Sequence, residues 1–168
     1  MRRVVDTNVP IVANGRNTNA SINCRLAAIN FLNLLVEGGQ TVLDLGGEIQ
    51  AEYRSYLDPS GQPGVGDRFY QIILHSAPAR VERINLPTDP ATGEFVDFPN
   101  DPALANFHRS DRKFAAAARK SNSPVANATD TDWLDYNMAL SRNGISVEFI
   151  CGCDPMNWIA EFEAMGAQ

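Results

Sequence analysis

Four acidic residues occupy positions from which their carboxylates can reach a shared ligand. Asp6 directly follows a short apolar run at the N-terminus, and Asp130 follows a second short apolar run. Glu52 and Asp111 lie in stretches with the spacing of helices. Crowded carboxylates repel one another and favour a hard divalent cation such as Mg²⁺ or Mn²⁺. These residues therefore predict a metal centre of the kind that activates water and stabilises charge on a phosphoryl group.

Two of the acids also have an interpretation that involves no chemistry. Asp6 can end a strand or cap the turn that follows it, which is a common use of aspartate. Asp111 can occupy the first turn of a helix, where the helix dipole favours a carboxylate whatever the function. Position alone leaves both interpretations open.

The other two acids each have an acidic neighbour that competes for the same role. Glu48 lies one helical turn before Glu52, so the two side chains share a helix face. Asp132 lies two residues after Asp130, and either can bind a metal while the other caps the next helix. Residue type alone does not decide between the members of each pair.

The elements that must position these acids alternate between strands and helices. Such an order indicates a parallel sheet with right-handed crossovers. The carboxyl ends of neighbouring parallel strands meet at one crevice, so acids that follow those strands converge there. Pro10, Asn14 and Gly15 predict a loop after the first strand. The predicted strands are 4–5, 41–45, 124–128 and 145–150, and the predicted helices are 22–36, 48–57, 67–75, 108–120, 133–141 and 156–165.

The chain of 168 residues is long enough for one ordinary core and too short for two independent ones. We therefore expect a single domain over 1–168. Proline and glycine concentrate in 58–66 and 87–102. This composition predicts an irregular excursion from the core at about 58–106, within which Phe95 and Phe98 anchor the chain.

The formal charge of −6 differs from the basic excess typical of proteins that bind nucleic acid by bulk electrostatics. A metal-dependent nuclease remains compatible with it, because a cluster of acids raises the acidic count and bound cations offset it. One stretch is basic and surrounds Asp111. Its side chains either contact phosphate or form the solvated face of an alanine-rich helix. The residues are Arg109, Arg112, Lys113 and Arg119.

The remaining candidate residues give weaker signals. Cys24, Cys151 and Cys153 lack the spacing of a zinc site, and we interpret Cys151 and Cys153 as reduced thiols near a strand end. His75 and His108 show no metal-ligand spacing, which favours surface or packing roles. The sequence has no apolar run of about 20 residues and no leader-like start, so we expect a soluble, cytoplasmic protein without a membrane partner.

Four segments resemble the motifs of PIN-domain nucleases, a family that includes the VapC-like ribonucleases. Val4–Val9 resembles the family's opening strand, with an acid followed by Thr and Asn. The segment 41–53 is similar to its strand and helix with an internal Glu, and 110–118 to its later helix, in which an Asp precedes an alanine-rich face. Ala128–Trp133 resembles its last acidic turn. All four occur in the family's order.

The resemblance implies a three-layer α/β/α sandwich with a central, mostly parallel sheet and a Mg²⁺- or Mn²⁺-dependent endoribonuclease. It assigns catalysis and metal binding to Asp6, Glu52, Asp111 and Asp130, with Asp132 as a further metal ligand. Thr7 and Asn8 would orient Asp6 or a water. The residues expected at the substrate are Thr7, Asn8, Arg16, Arg112 and Lys113.

The biological role implied by the resemblance stays open among several alternatives. The family includes the toxins of toxin–antitoxin pairs as well as RNA-processing and defence nucleases. The stretch between Glu52 and Asp111 is longer than in the compact toxins, which weighs against the toxin role. A catalytically inactive module that binds protein or RNA, and a DNA or flap nuclease, are the alternatives. An antitoxin protein and a second copy of the chain are the implied partners besides RNA.

Overall fold

A computed structural model describes residues 1–16, 18–75 and 78–160. Strands and helices alternate along most of the chain, as the sequence predicts. Short 3-10 turns lie at Pro102–Leu104, Arg109–Asp111 and Pro155–Asn157. The elements are β1 (Arg2–Val5), α1 (Asn8–Asn14), α2 (Ile22–Gly38), β2 (Gln40–Asp44), α3 (Glu48–Tyr56), α4 (Val65–His75), β3 (Val81–Ile84), α5 (Arg112–Ser121), β4 (Val125–Asn127), α6 (Thr131–Asp135), α7 (Asn137–Arg142) and β5 (Val147–Phe149).

The five strands form one parallel sheet in the order β3-β2-β1-β4-β5. From β1 the chain winds outward to one edge through β2 and β3, and then crosses to the other edge through β4 and β5. Right-handed crossovers in opposite directions place the connecting helices on opposite faces. Accordingly α1, α2 and α4 pack together, whereas α5 lies along the central strands. The predicted α/β/α sandwich with a parallel sheet is confirmed.

Helix α2 forms where the periodicity predicts it. Ser21 caps the helix by accepting a hydrogen bond from the backbone N–H of Cys24 at 3.1 Å. Ala28, Leu32 and Leu35 recur at helical spacing and are buried against the core. In the described part of the chain, no helix is long and apolar enough to cross a membrane.

Helix α1 corrects the prediction of a loop at Pro10, Asn14 and Gly15. Proline is tolerated here because it lies in the first turn, where a backbone N–H has no partner within the helix. Gly15 ends the helix in the left-handed conformation with φ of +67°. Buried Val9 and Val12 hold the short helix on the sheet.

The predicted irregular excursion at 58–106 contains two regular elements, α4 and the edge strand β3. Strand β3 is partly exposed and mixed in polarity, so its sequence does not show the continuous apolar run of a buried parallel strand. The predicted helix 133–141 is interrupted at Tyr136 and forms α6 and α7. The prediction of a helix over 156–165 is wrong for its described part, which has the 3-10 turn Pro155–Asn157 and an isolated bridge between Ile159 and Ala20. Residues 161–168 lie outside the described ones.

A buried aspartate joins α1 to α4. Asp67 is fully buried and accepts hydrogen bonds from the Asn14 side chain at 3.1 Å and from the Arg16 guanidinium at 2.8 Å. The backbone N–H groups of Asp58 and Gly64 donate to the same carboxylate at 2.9 and 3.0 Å. Buried carboxylates need such partners, so this contact fixes the loop between α3 and α4.

A disulfide between Cys24 and Cys151 corrects the prediction that Cys151 is a reduced thiol. It links the first turn of α2 to the turn after β5, two segments separated by 127 residues in the sequence. Cys153 is free and exposed. Spacing along the chain gave no signal for this pair, because only the tertiary fold brings the two segments together.

We expect the disulfide to stabilise the fold by about 2–4 kcal/mol, since it closes a long loop in the unfolded chain. Dithiothreitol should therefore lower the melting temperature, and Cys151→Ser should lower it by a similar amount without reductant. Thermal unfolding followed by circular dichroism measures both. A chain in a reducing compartment would lack this cross-link.

Cys153→Ser is the matched control. It should melt like the wild-type protein and keep the full response to reductant, because Cys153 has no disulfide partner. Equal melting temperatures with and without dithiothreitol in the wild-type protein would contradict a stabilising role for the disulfide.

Candidate metal centre

Three aspartates from distant parts of the chain meet at the carboxyl edge of the sheet. Asp6, Asp111 and Asp130 each offer a carboxylate oxygen, and these atoms lie within 4.8 Å of one another. Asp6 follows β1 and Asp130 follows β4, which are adjacent and parallel. The winding direction reverses between these two strands, and open α/β sheets bind ligands at such a position.

Asp6 is held in a defined orientation by two hydrogen bonds. Its carboxylate is almost fully buried. One oxygen accepts from the backbone N–H of Asn8 at 2.9 Å, and the other accepts from the indole N–H of Trp133 at 2.6 Å. Trp133 is itself completely buried, with its ring edge-on to Phe107 at 5.1 Å. The indole therefore fixes the carboxylate rigidly.

A pair of asparagines locks the ends of β1 and β4 together. The amide nitrogen of Asn8 donates to the side-chain oxygen of Asn127 at 2.9 Å, while Asn8 accepts from the backbone N–H of Ala128 at 2.8 Å. Asn127 in turn accepts from the backbone N–H of Asp130 at 3.2 Å and donates to its carbonyl at 3.0 Å. These bonds fix the position of the Asp130 backbone relative to β1.

Asp111 and Asp130 enter the group from the starts of two helices. Asp111 ends the 3-10 turn before α5, is buried, and accepts a hydrogen bond from the Ser110 hydroxyl at 3.3 Å. Asp130 caps α6 by accepting from the backbone N–H of Asp132 at 2.9 Å. The group of three contains Asp130, whereas Asp132 lies outside it.

Glu52 lies beside the three aspartates but is bound to other groups. One of its carboxylate oxygens accepts a hydrogen bond from the Thr7 hydroxyl at 2.6 Å. The other forms a salt bridge with the ammonium group of Lys113. The prediction that Glu52 binds metal stays a prediction, because the observed group of three does not include it.

The electrostatics of the group favour a cation. Burial, followed by repulsion from Asp111, raises the pKa of Asp6 to about 8. Burial and repulsion from Asp130, Asp132 and Glu52 raise the pKa of Asp111 to about 7. Burial also raises the pKa of Asp130. Near neutral pH Asp6 and Asp111 retain protons for part of the time, and a divalent cation would displace them.

The donor set fits a hard divalent cation. It consists of carboxylate oxygens, which such ions prefer over nitrogen or sulfur donors. Two of the three acids are buried and Asp130 is half-buried, so the site is open on one side. A magnesium-type ion uses few protein carboxylates and keeps other coordination positions for water or phosphate.

The residues predicted at the substrate do not form one surface. Thr7 binds Glu52, and Asn8 binds Asn127. Arg16 lies beyond the far end of α1, about 10 Å of helix away from Asn8, where it pairs with Asp67. These contacts do not test whether Thr7, Asn8 and Arg16 bind substrate, so that role stays a prediction.

The two basic residues predicted at the substrate also have protein partners. The Arg112 guanidinium forms a salt bridge with Glu94 at 3.0 Å and donates to the carbonyls of Phe107 and Ala105. Lys113 pairs with Glu52. Direct binding of phosphate by either residue stays a prediction.

Three further residues lie at or near the group, and no functional role was predicted for them. Trp133 is fully buried in the core, and its indole N–H also donates to Asp6. Asn127 is a polar residue in a fully buried strand, and a polar residue at the end of an apolar strand is the sequence feature that indicates such a role. His108 is exposed, and its ring nitrogen contacts the hydroxyl of Ser110, the neighbour of Asp111, at 2.6 Å.

Comparison with models of protein families gave no match, and comparison with curated proteins gave none either. One solved structure is similar, described as the crystal structure of VapBC2 from Rickettsia felis bound to a DNA fragment from their promoter. The identity is 14%, the match covers 89% of this chain and 98% of that chain, and the TM-score is 0.43. At this level the similarity carries no conclusion about function.

We expect Trp133→Phe to weaken Mn²⁺ binding by about 10- to 100-fold, because groups that orient a metal ligand typically contribute that much. Isothermal titration calorimetry measures the affinity. The matched control is Trp158→Phe, which removes another buried tryptophan whose indole donates to the carbonyl of Gly152. Equal affinities in the two variants would show that the indole bond to Asp6 does not orient a ligand.

We expect Asp111→Asn to raise the melting temperature of EDTA-treated protein, and the gain should grow from pH 5 to pH 8.5. Folding raises the pKa of this carboxyl from 3.8 to about 7. The folded state therefore binds more protons than the unfolded state, and stability is lost as pH rises through the folded pKa. Asp111→Asn removes this charge and so avoids the loss of stability. Each kcal/mol retained raises the melting temperature by about 2–4 °C.

Differential scanning fluorimetry across this pH range, with and without Mn²⁺, provides the measurement. Mn²⁺ should stabilise the wild-type protein and not Asp111→Asn. Glu37→Gln, which removes an exposed acid at the end of α2, is the control and should change neither property. A wild-type melting temperature that rises between pH 5 and pH 8.5 would refute the electrostatic argument.

Proposed function

We propose that this chain is a nuclease of the PIN type that binds Mg²⁺ or Mn²⁺ through Asp6, Asp111 and Asp130 and hydrolyses phosphodiester bonds in RNA. The observation that carries the proposal is the meeting of these three carboxylates, from separate segments, within 4.8 Å at the carboxyl edge of β1 and β4. A bound divalent cation would supply the positive charge that polarises a phosphoryl group and acidifies an attacking water.

The protein's own part in this chemistry is to hold its oxygen ligands in place. Trp133 and the backbone of Asn8 orient Asp6, and the Asn8–Asn127 pair fixes β4 and with it Asp130. Such preorganisation matters because a reacting group must be held within a fraction of an ångström. The half-buried side of Asp130 leaves the group accessible to a phosphate from solvent.

The basic side chains contribute less to this proposal than the sequence suggested. Arg16, Arg112 and Lys113 are paired with Asp67, Glu94 and Glu52 respectively. Neutralisation of the substrate phosphate therefore falls mainly to the bound cation. The overall charge of −6 agrees with a site that attracts substrate through metal rather than through a basic surface.

Several features of the proposal rest on the sequence resemblance alone. They are the preference for RNA over DNA, the choice between a toxin and a processing or defence nuclease, an antitoxin partner and a homodimer. Asp132 is the remaining acid of the proposed site. Its charge raises the pKa of Asp111, so it adds to the field that attracts a cation.

We expect purified protein to cleave single-stranded RNA when Mg²⁺ or Mn²⁺ is present and to stop when EDTA is added. Asp6→Asn and Asp111→Asn should each lower the rate by about 100-fold or more, since each removes an oxygen ligand that stabilises the transition state through the metal. A gel assay with end-labelled RNA gives the rate. Glu37→Gln is the control and should cleave like the wild-type protein.

Competition between labelled RNA and DNA of the same sequence decides the nucleic acid. Preferential cleavage of DNA would show that the substrate is DNA rather than RNA, and the proposed metal-dependent hydrolysis of phosphodiester bonds would still hold. Cleavage that survives both aspartate substitutions, or that continues in EDTA, would remove the proposed mechanism. Protein that neither cleaves nor binds Mn²⁺ would instead be the inactive binding module.

A further inference from the structure

We propose that Lys113 keeps Glu52 out of the metal's coordination shell, so that the site takes one divalent cation on three aspartates rather than two cations on four acids. The inference rests on the proposed function, because it concerns the same metal centre. It assigns to Lys113 a positioning role in place of the substrate contact suggested by the sequence.

Both carboxylate oxygens of Glu52 are already in use. Thr7 donates its hydroxyl hydrogen to one oxygen at 2.6 Å, and the ammonium group of Lys113 contacts the other. Each of these oxygens keeps a further lone pair, as the oxygens of Asp6 do. Glu52 differs from Asp6 because one of its partners is a cation, which neutralises its charge and repels a metal ion placed beside it.

Lys113 is not free to follow a moving glutamate. Its ammonium group also donates to the backbone carbonyl of Ser110 at 2.6 Å and lies 5.0 Å from the centre of the Phe114 ring. The side chains of Lys113 and Glu52 are only 11% and 22% exposed. Withdrawal of Glu52 would leave a nearly buried ammonium without its counter-ion, which is strongly unfavourable.

The balance of charge points the same way. Asp6, Asp111 and Asp130 supply three negative charges when ionised, and the charge of Glu52 is neutralised by Lys113. Two divalent cations would bring four positive charges next to the fixed positive charge of Lys113. Centres with two metals need carboxylates that serve both ions at a separation of about 3.5–4 Å. Three aspartates with a neutralised glutamate suit one ion.

The first test is Mn²⁺ binding measured by isothermal titration calorimetry on the full chain. We expect one Mn²⁺ per wild-type chain, and one per chain of the double variant Lys113→Met/Glu52→Gln with an affinity within about threefold, because the two charges that this variant removes cancel. Asp6→Asn, which removes a member of the group of three, should abolish binding. Two ions in the wild-type protein, or a loss of about tenfold or more in the double variant Lys113→Met/Glu52→Gln, would overturn the inference.

The second test releases Glu52 by removing its partner. Lys113→Met keeps the length of the side chain and removes its charge, and we expect a second Mn²⁺ to bind. That second ion should disappear in the double variant Lys113→Met/Glu52→Gln, and Lys113→Arg should retain one ion. Electron paramagnetic resonance gives an independent reading, because two neighbouring Mn²⁺ ions couple magnetically. A folded Lys113→Met that still binds one ion would contradict the role of Lys113.

The outcomes separate this inference from the proposed function. Wild-type protein that binds no Mn²⁺ would contradict both the role of Lys113 and the proposed metal-dependent nuclease. Wild-type protein that binds two ions would remove only the role of Lys113 and leave the nuclease proposal standing. If Lys113→Met does not fold, as judged by circular dichroism, the double variant Lys113→Met/Glu52→Gln decides the question, since it removes both charges of the pair and leaves neither without a partner.

Discussion

The site depends on holding three carboxylates together against their own repulsion. Burial and mutual charge raise the pKa of Asp6 and of Asp111 to about 8 and 7. Such an arrangement lowers the stability of the fold at neutral pH, so other contacts must offset it. The Asn8–Asn127 pair and the indole of Trp133 fix the strand ends that carry the acids, and the apolar strands β1 and β4 beneath them are buried.

Buried acids in the described part of the chain fall into two kinds. Asp67 and Asp44 are satisfied by the protein itself, the first by a guanidinium, an amide and backbone N–H groups, the second by two backbone N–H groups at the start of α3. Asp6 and Asp111 also accept hydrogen bonds, but they lie close to each other and to the carboxylate of Asp130. The contrast indicates that the repulsion is specific to this group, which is typical of functional sites.

The fold explains why the site lies where it does. Strands β1 and β4 are neighbours in the sheet, although the chain between them includes β2 and β3, which form the other half of the sheet. Helix α5 returns along the central strands and delivers Asp111 at its start, with Lys113 two residues later. One helix start therefore supplies both a member of the acidic group and the cation that engages Glu52.

The sequence by itself determined the alternation of strands and helices, the parallel sheet and the acids at two strand ends, because periodicity and strand-end position are local properties. It did not determine that Glu52 pairs with Lys113, that Arg16 pairs with Asp67, or that Cys24 joins Cys151. Each of these contacts links segments far apart in the chain. Only tertiary packing decides which charged group meets which partner, since the residue types alone allow several pairings of similar energy.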